Sequence, residues 1–342
     1  MMGMSKTPYS PDSFEVSKRK MDHITLTPKS TTSVETVDIR FNYEPLFFTH
    51  PEAHETWQST FLGFEFNFPL WVSSMTGGIE KSQLINQNLA KLCGEFKLGM
   101  GLGSCRSLLN SKDRYADFAV RKYLGNQPLF ANIGYAQLEE LFQAKKFHLL
   151  HEMVDSLEAN GLIIHLNPLQ EWFQPKGDKF QLSPLNTIKN FLEDVSYPVL
   201  IKEVGQGMGP KSLKALLDLP IAGIELGAFG GTNFSLLESL RSSEEAEFKK
   251  PFIHVGHSAH EMVEILNALP TKGKEFIISG GMKTILDGYE LKTKLNAPSV
   301  IGMASTFLGP AQKNYETLRE HFLQMKEALL VAKKILNLKE NQ

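Results

Sequence analysis

Short, almost wholly apolar runs recur along this chain, at Pro69–Ser73, Lys97–Gly101, Leu129–Ile133, Gly161–Leu166, Val199–Val204, Ala222–Leu226, Phe276–Ser279 and Val300–Met303. Runs of this kind are expected of strands buried on both faces of a parallel sheet. Between them, apolar residues return every three or four positions. Ile85, Leu89 and Leu92 share one helix face, as do Leu149, Met153 and Leu157, and Leu213, Leu216 and Leu217. Strand then helix, about eight times, predicts an α/β fold with right-handed crossovers. Eight such units predict one closed (β/α)8 TIM barrel over residues 31–342, preceded by a flexible arm at 1–30. "PFIHVGH" (Pro251–His257) is read as the start of an inserted segment after the charged "RSSEEAEFKK", and not as a ninth strand. From about Tyr315 to Leu338 a long C-terminal helix is predicted, with Leu318, Phe322, Met325, Leu329, Ala332 and Leu336 spaced by four and three. It either packs on the barrel's outside or joins a subunit interface.

Composition changes this picture little. The chain has 342 residues, 42% hydrophobic and 22% charged, within the range of a single soluble barrel. A net charge of -2 argues against nucleic acid or an anionic membrane as partner, so any anion site is local. No apolar run is long enough for a membrane span. Two cysteines, Cys93 and Cys105, make neither a disulfide framework nor a zinc spacing. A reducing, cytoplasmic location and a homo-oligomer are expected. The polar N-terminus lacks the apolar core of a signal peptide and reads as a loose arm.

In such a barrel the chemistry sits where the strands end. Those ends read "SSMTGG" (Ser73–Gly78), "GLGSCRS", "ANIGYAQ", "IHLNPLQEWFQPKGD", "IKEVGQGMG", "GAFGGTN", "SGGMK" and "IGMAS". Each carries glycine or polar signals, which favours one large ligand site. "SSMTGG" lets backbone N–H groups approach something flat or anionic. The glycine pair in "SGGMK" and the small-residue turn in "IGMAS" form a phosphate-binding corner, to which "FGGT" adds a hydroxyl and more amides. Lys202 sits in an apolar strand. It is either paired with Glu203 or another carboxylate, or is a cation beneath an electron-rich cofactor. His165 and Asn167 share one strand face. Glu171 is the lone carboxylate of that cluster, enough for a Mg2+ that takes its other ligands from substrate phosphates and water. "KRKMDH" (Lys18–His23) is either a solvated basic arm or a lid over an anionic substrate, with Arg106 as its counterpart.

Taken in order, "RKMDHI", "SSMTGG", "GSCRS", "ANIG", "HLNPLQE", "QPKGD", "IKEVG", "GGT", "SGGMK" and "IGMA" resemble the type 2 isopentenyl-diphosphate isomerases, flavin-dependent barrel enzymes. The resemblance spans roughly Lys18 to Leu308. It implies FMN, Mg2+ and NADPH as cofactors, and isopentenyl and dimethylallyl diphosphate as the interconverted pair. It places FMN against Ser74, Met75, Thr76, Ser104, Asn132, Lys202, Thr232, Gly281, Met282, Lys283, Gly302, Met303 and Ala304. Substrate would meet Arg19, Lys20, Ser104, Cys105, Arg106, His165, Asn167 and Gln170, with Glu171 on the metal. No side chain is implied as the acid or base, a role left to reduced FMN with Lys202, His165 and Gln170 in support. Five departures stand out. Cys105 replaces the family's usual Gln, Lys176 a Glu and Lys283 an Arg, while Glu225 and Gly227 replace Asp and Ser. The alternatives are an FMN-dependent 2-hydroxy-acid oxidoreductase, for which His257 and His260 are the nearest histidines, and a non-catalytic barrel acting as a binding module.

Overall fold

The structure is a computed structural model that describes residues 11–242 and 247–339. The chain divides into two compact units, residues 1–42 with 339–342, and Tyr43–Leu338. In the first, residues expected to form a loose arm are helical: α1 runs from Pro11 to Leu26. Proline in the first turn and the helix formers of "EVSKRKM" explain this locally. Two 3-10 turns follow, Thr27–Lys29 and Val34–Thr36, and then β1, Phe41–Tyr43, at the unit boundary. Residues 1–10 of the arm and 243–246 of "RSSEEAEFKK" lie outside the described residues.

The second unit opens with an antiparallel hairpin, β2 (Ser59–Phe61) and β3 (Phe64–Phe66). Its two-residue loop puts both Leu62 (φ 51°) and Gly63 (φ 78°) in the left-handed region, as a type I′ turn demands. The barrel follows. Its strands are β4 (Leu70–Val72), β5 (Gly99–Gly101), β6 (Leu129–Gly134), β7 (Gly161–Leu166), β8 (Val199–Glu203), β9 (Gly223–Glu225), β10 (Glu275–Ser279) and β11 (Ser299–Met303). They pair in parallel in chain order, and β11 returns to β4 to close the ring. All eight coincide with the apolar runs.

The crossovers carry α2 (Ser82–Phe96), α3 (Arg121–Leu124), α4 (Tyr135–Gln143), α5 (His148–Ser156), α6 (Pro168–Phe173), α7 (Pro184–Leu192), α8 (Pro210–Leu217), α9 (Phe234–Arg241) and α10 (Ala259–Asn267). After the last strands come α11 (Ile285–Lys294), α12 (Ser305–Lys313) and α13 (Tyr315–Ile335). "PFIHVGH" adds no barrel strand; Glu247–His254 is 3-10 helix, with Pro251 inside it. The final helix stops at Ile335, short of the expected Leu338, because Leu336–Leu338 are extended as β12.

The hairpin stops one end of the barrel. Phe61 and Phe66 are buried with Trp71, Phe130, Ile163, Leu200, Ile277 and Val300. Ring centroids lie 5.9 Å apart for Phe61 and Trp71 and 5.7 Å for Trp71 and Phe130. Leu62 N–H donates to Glu275 Oε2 at 2.9 Å, and Glu275 begins β10. The floor is therefore where the strands start, which leaves their C-terminal ends as the open mouth.

Candidate functional site

Two groups of residues meet at that mouth. The first lines a cavity of about 650 Å³ built from the ends of β4, β8, β9, β10 and β11 and the loops after them. This is within the usual range for small-molecule sites. Ser74, Met75, Lys202, Thr232, Gly281, Met282, Lys283, Gly302, Met303 and Ala304 line it, ten of the thirteen residues expected to hold a flavin.

Its glycines are there for space. Gly280 (φ 86°) and Gly281 (φ 70°) have left-handed backbones. A Cβ at Gly280 would stand 2.2 Å from Ala228 O, and one at Gly230 3.1 Å from the Gly281 Cα. The "FGGT" and "SGG" loops thus pack backbone on backbone, and no side chain larger than hydrogen fits between them. Gly227, a departure from the family pattern, is required as well. Its φ is 53° and a Cβ there would meet Glu203 O at 2.0 Å.

Lys202 is nearly buried, and its Nζ donates to the carbonyl oxygen of Glu203 at 2.9 Å. The expected alternative, a pair with the Glu203 carboxylate, is not formed. That carboxylate turns to the following loop, where Oε2 accepts from the N–H groups of Gly205, Gln206 and Gly207. Burial raises the Glu203 pKa. Lys202 has no ion pair among the described residues. Four buried polar atoms of the cavity residues also lack a partner: Ser73 Oγ, Ser74 Oγ, Glu225 Oε2 and His321 Nε2. Buried polar groups ordinarily find partners, so these four atoms are open to a polar ligand in the cavity. A flat, hydrogen-bonding molecule that carries a phosphate suits it.

The second group lies on β6, β7 and α6. His165 Nδ1 is 2.8 Å from Asn132 Oδ1, which puts the ring proton on Nδ1 and fixes the ring plane. Burial, then the charge of neighbouring Lys202, lowers the His165 pKa to about 3. It is neutral at physiological pH. Lys202 is its register partner across β7 and β8, so the two groups are contiguous. A Cβ at Gly134 would come within 3.0 Å of His165 Nε2, so that glycine makes room for the ring.

Asn167 Nδ2 donates to Gln170 Oε1 (3.2 Å) and Glu171 Oε1 (2.8 Å). Glu171 Oε2 accepts the N–H of Asp178 at 2.8 Å, which folds "QPKGD" back over α6. The loop is tight: a Cβ on Gly177 would fall 2.0 Å from Glu171 O. Asp178 Oδ2 in turn faces Arg106 at 3.5 Å and accepts from Gln137 Nε2 at 3.0 Å. No group of three or more metal-ligating side chains occurs among the described residues, so Glu171 can serve only a metal that arrives largely liganded.

Some expected residues stand elsewhere. Thr76 does not line the cavity. Its hydroxyl is 3.2 Å from Ser82 Oγ, at the start of α2. Ser104 is exposed, and Asn132 is buried behind His165. Cys105 is fully buried, its Sγ donating to Gly103 O at 3.4 Å, and burial raises its thiol pKa to about 12. The side chain is enclosed by protein and is not among the residues that line the cavity. Arg19 and Lys20 are exposed on α1. His257 and His260 do not line the cavity; they pair with Glu261 and Glu290.

Glu238 and Asp178 are among the residues that escaped the sequence reading. Glu238 on α9 is buried; Gln170 Nε2 donates to it at 3.4 Å and Arg241 at 2.8 Å. It lies 68 residues from Gln170, and only the packing of α6 on α9 joins them. Asp178 stood inside the "QPKGD" motif, but its hold on Arg106 has no local signal.

No protein-family model matches the chain. In fold, a mandelate oxidase mutant with a monooxide FMN adduct is similar, at TM-score 0.54, 13% identity and 88% coverage of each chain. A doubly substituted flavocytochrome b2 with sulfite bound gives TM-score 0.58 and 13% identity over 86% of this chain and 71% of that one. Curated relatives are more similar in sequence. The isopentenyl-diphosphate delta-isomerase of Rickettsia africae (strain ESF-5) is 33% identical over 322 residues, 92% of either chain. The enzymes of that name from Nostoc sp. and Pseudescherichia vulneris are 32% and 33% identical, each over 92% of this chain and 89% and 91% of their own. With that identity along nearly its whole length, on a closed eight-stranded barrel, the chain belongs to the isopentenyl-diphosphate delta-isomerase family, in its type 2 form.

Proposed function

We propose that the protein moves the double bond of isopentenyl diphosphate to give dimethylallyl diphosphate, with FMN in the cavity, NADPH as reductant and Mg2+ on the diphosphate. The observation that carries this reading is one third identity to isomerases over 92% of the chain. The partnerless polar wall and glycine cradle support FMN as the cavity's ligand.

The reaction adds a proton to an alkene and removes another two carbons away. Alkenes are very weak bases, and the cavity offers no side-chain acid suited to them among the described residues. Reduced FMN, when bound, supplies the proton donor and acceptor and an electron-rich face for the positive charge that develops. Lys202, cationic and without an ion pair among the described residues, stabilises negative charge on the ring. His165, held neutral, adds no charge to the diphosphate end. That end is left to Arg106, which exchanges Asp178 for phosphate oxygens, and to Mg2+ on Glu171. The resemblance also gives Arg19 and Lys20 to the substrate. Gln170 is held at both ends, its oxygen by Asn167 and its amide by Glu238, and so keeps one orientation. We place the enzyme in the cytoplasm as a homo-oligomer. No helix of the described residues is long and apolar enough to cross a membrane.

The test is redox bookkeeping. Oxidised enzyme with FMN, Mg2+ and isopentenyl diphosphate should be inactive until NADPH or dithionite is added. Once reduced and kept anaerobic, it should turn over many times with no further reductant used, and in deuterated water the product should carry label. Reductant consumed mole for mole with product would point instead to the oxidoreductase.

A further inference from the structure

We infer that His321, on the C-terminal helix α13, is a side-chain donor to the phosphate end of the flavin; this rests on the FMN reading above. The helix was expected only to pack on the barrel or join a subunit interface. Leu318, Phe322, Met325 and Leu329 are indeed its buried stripe. His321 lies between the first two of these, on the same inward face. It lines the cavity together with the Gly302–Ala304 turn, and its Nε2 is shielded from solvent with no hydrogen-bond partner. That nitrogen is therefore open to an acceptor brought by a ligand in the cavity.

Of the three helices packed against α13, two show which ligand suits the imidazole. α11 and α12 both pack on it, and they begin just after β10 and β11. The start of α11 is closed by its own residues. Thr284 and Asp287 form a capping box, and Asp287 Oδ2 also accepts the N–H of Lys283. The start of α12 has no side-chain cap, and its first residues, Ser305 and Thr306, line the cavity. An uncapped helix N-terminus and a partnerless imidazole nitrogen in one wall call for a ligand that is anionic and offers several acceptor oxygens. A phosphate monoester is such a group. Of the two lysines that line the cavity, Lys283, beside the glycine pair, is exposed.

Apoprotein stripped of flavin is titrated with FMN and with riboflavin, which lacks the phosphate, and quenching of flavin fluorescence is followed. His321→Ala should weaken FMN binding by about ten- to a hundredfold, the worth of one hydrogen bond to a charged group. Riboflavin binding should not change. His321→Gln, whose amide N–H extends into the same space, should recover part of the FMN loss. Unchanged FMN affinity in both variants, or equal losses for FMN and riboflavin, would overturn the assignment. Riboflavin binding also reports that each variant is folded; if the Ala variant is not, the Gln variant carries the comparison. Wild-type protein that binds neither flavin would instead remove the FMN reading itself, and this assignment with it.

Discussion

Glu171→Gln tests the metal assignment and the local architecture together, because both carboxylate oxygens are already engaged. Oε1 accepts from Asn167 Nδ2 and Oε2 from Asp178 N–H, each at 2.8 Å. Glutamine has one carbonyl oxygen and one NH2 group. With Asn167 in its present orientation, whichever way the glutamine turns an N–H donor faces another donor. One hydrogen bond to a charged group is lost, worth about 1.5–3 kcal/mol, and the other becomes neutral. For a chain of this size that lowers the melting temperature by about 2–4 °C. The "QPKGD" loop should also become the preferred site of limited proteolysis, since its tie at Asp178 is weakened. The cavity is formed by other strands, so FMN binding should be intact. Loss of the metal clamp is worth several kcal/mol, so Mg2+-dependent activity should fall on the order of a hundredfold or more. Activity is measured against Mg2+ concentration with reduced enzyme. A variant with the wild-type Mg2+ response would remove Glu171 from the metal site. An unchanged melting temperature would show that the two hydrogen bonds do not carry the loop.

His165 is neutral in the folded protein to about pH 3 and titrates near 6.5 when unfolded, so the unfolded state alone gains a proton between those values. Stability should therefore be complete above pH 6.5 and fall toward pH 3, by up to about 1.4 kcal/mol per pH unit, and His165→Gln should flatten that slope in urea unfolding at pH 7 and pH 5. Cys105→Gln places a larger amide in a fully buried position; destabilisation by about 1–3 kcal/mol and no gain in substrate affinity are expected, and tighter binding would refute the buried placement. Cys105 should also resist thiol reagents at pH 8 until the protein unfolds, its thiol pKa being about 12. If Arg19 and Lys20 meet the diphosphate, replacing both with Glu should raise the KM for isopentenyl diphosphate at least tenfold and leave FMN affinity unchanged; an unaltered KM would return the helix to the status of a solvated surface.

The barrel was legible because each of its strands is buried on both faces, which writes an unbroken apolar run into the chain. "PFIHVGH" could imitate such a run because apolar content alone does not distinguish a strand from a 3-10 segment; Pro251 was the available clue. The helix at Pro11–Leu26 was hidden by the polarity of a segment whose described side chains, residues 14–26, are all exposed, so no stripe marked it. At the site, the glycine loops and Lys202 announced themselves because tight backbone approach and a lysine in an apolar strand are local oddities. Glu238 and His321 did not. Each is one polar residue on an ordinary amphipathic helix, and its meaning comes from residues distant in sequence.

The hairpin floor has a consequence for biosynthesis. Leu62 and Glu275, which it joins, are 213 residues apart. A ribosome adding 5–20 residues per second makes the plug roughly 10–40 s before β10 exists, and β11, which brings Val300, comes later still. Through that interval Phe61, Phe66 and Trp71 have no finished barrel to enter, and every nascent chain carries an aromatic cluster in search of a core. Chains that stall or end before β10 would keep it uncovered, which makes them the natural clients of chaperones and proteases.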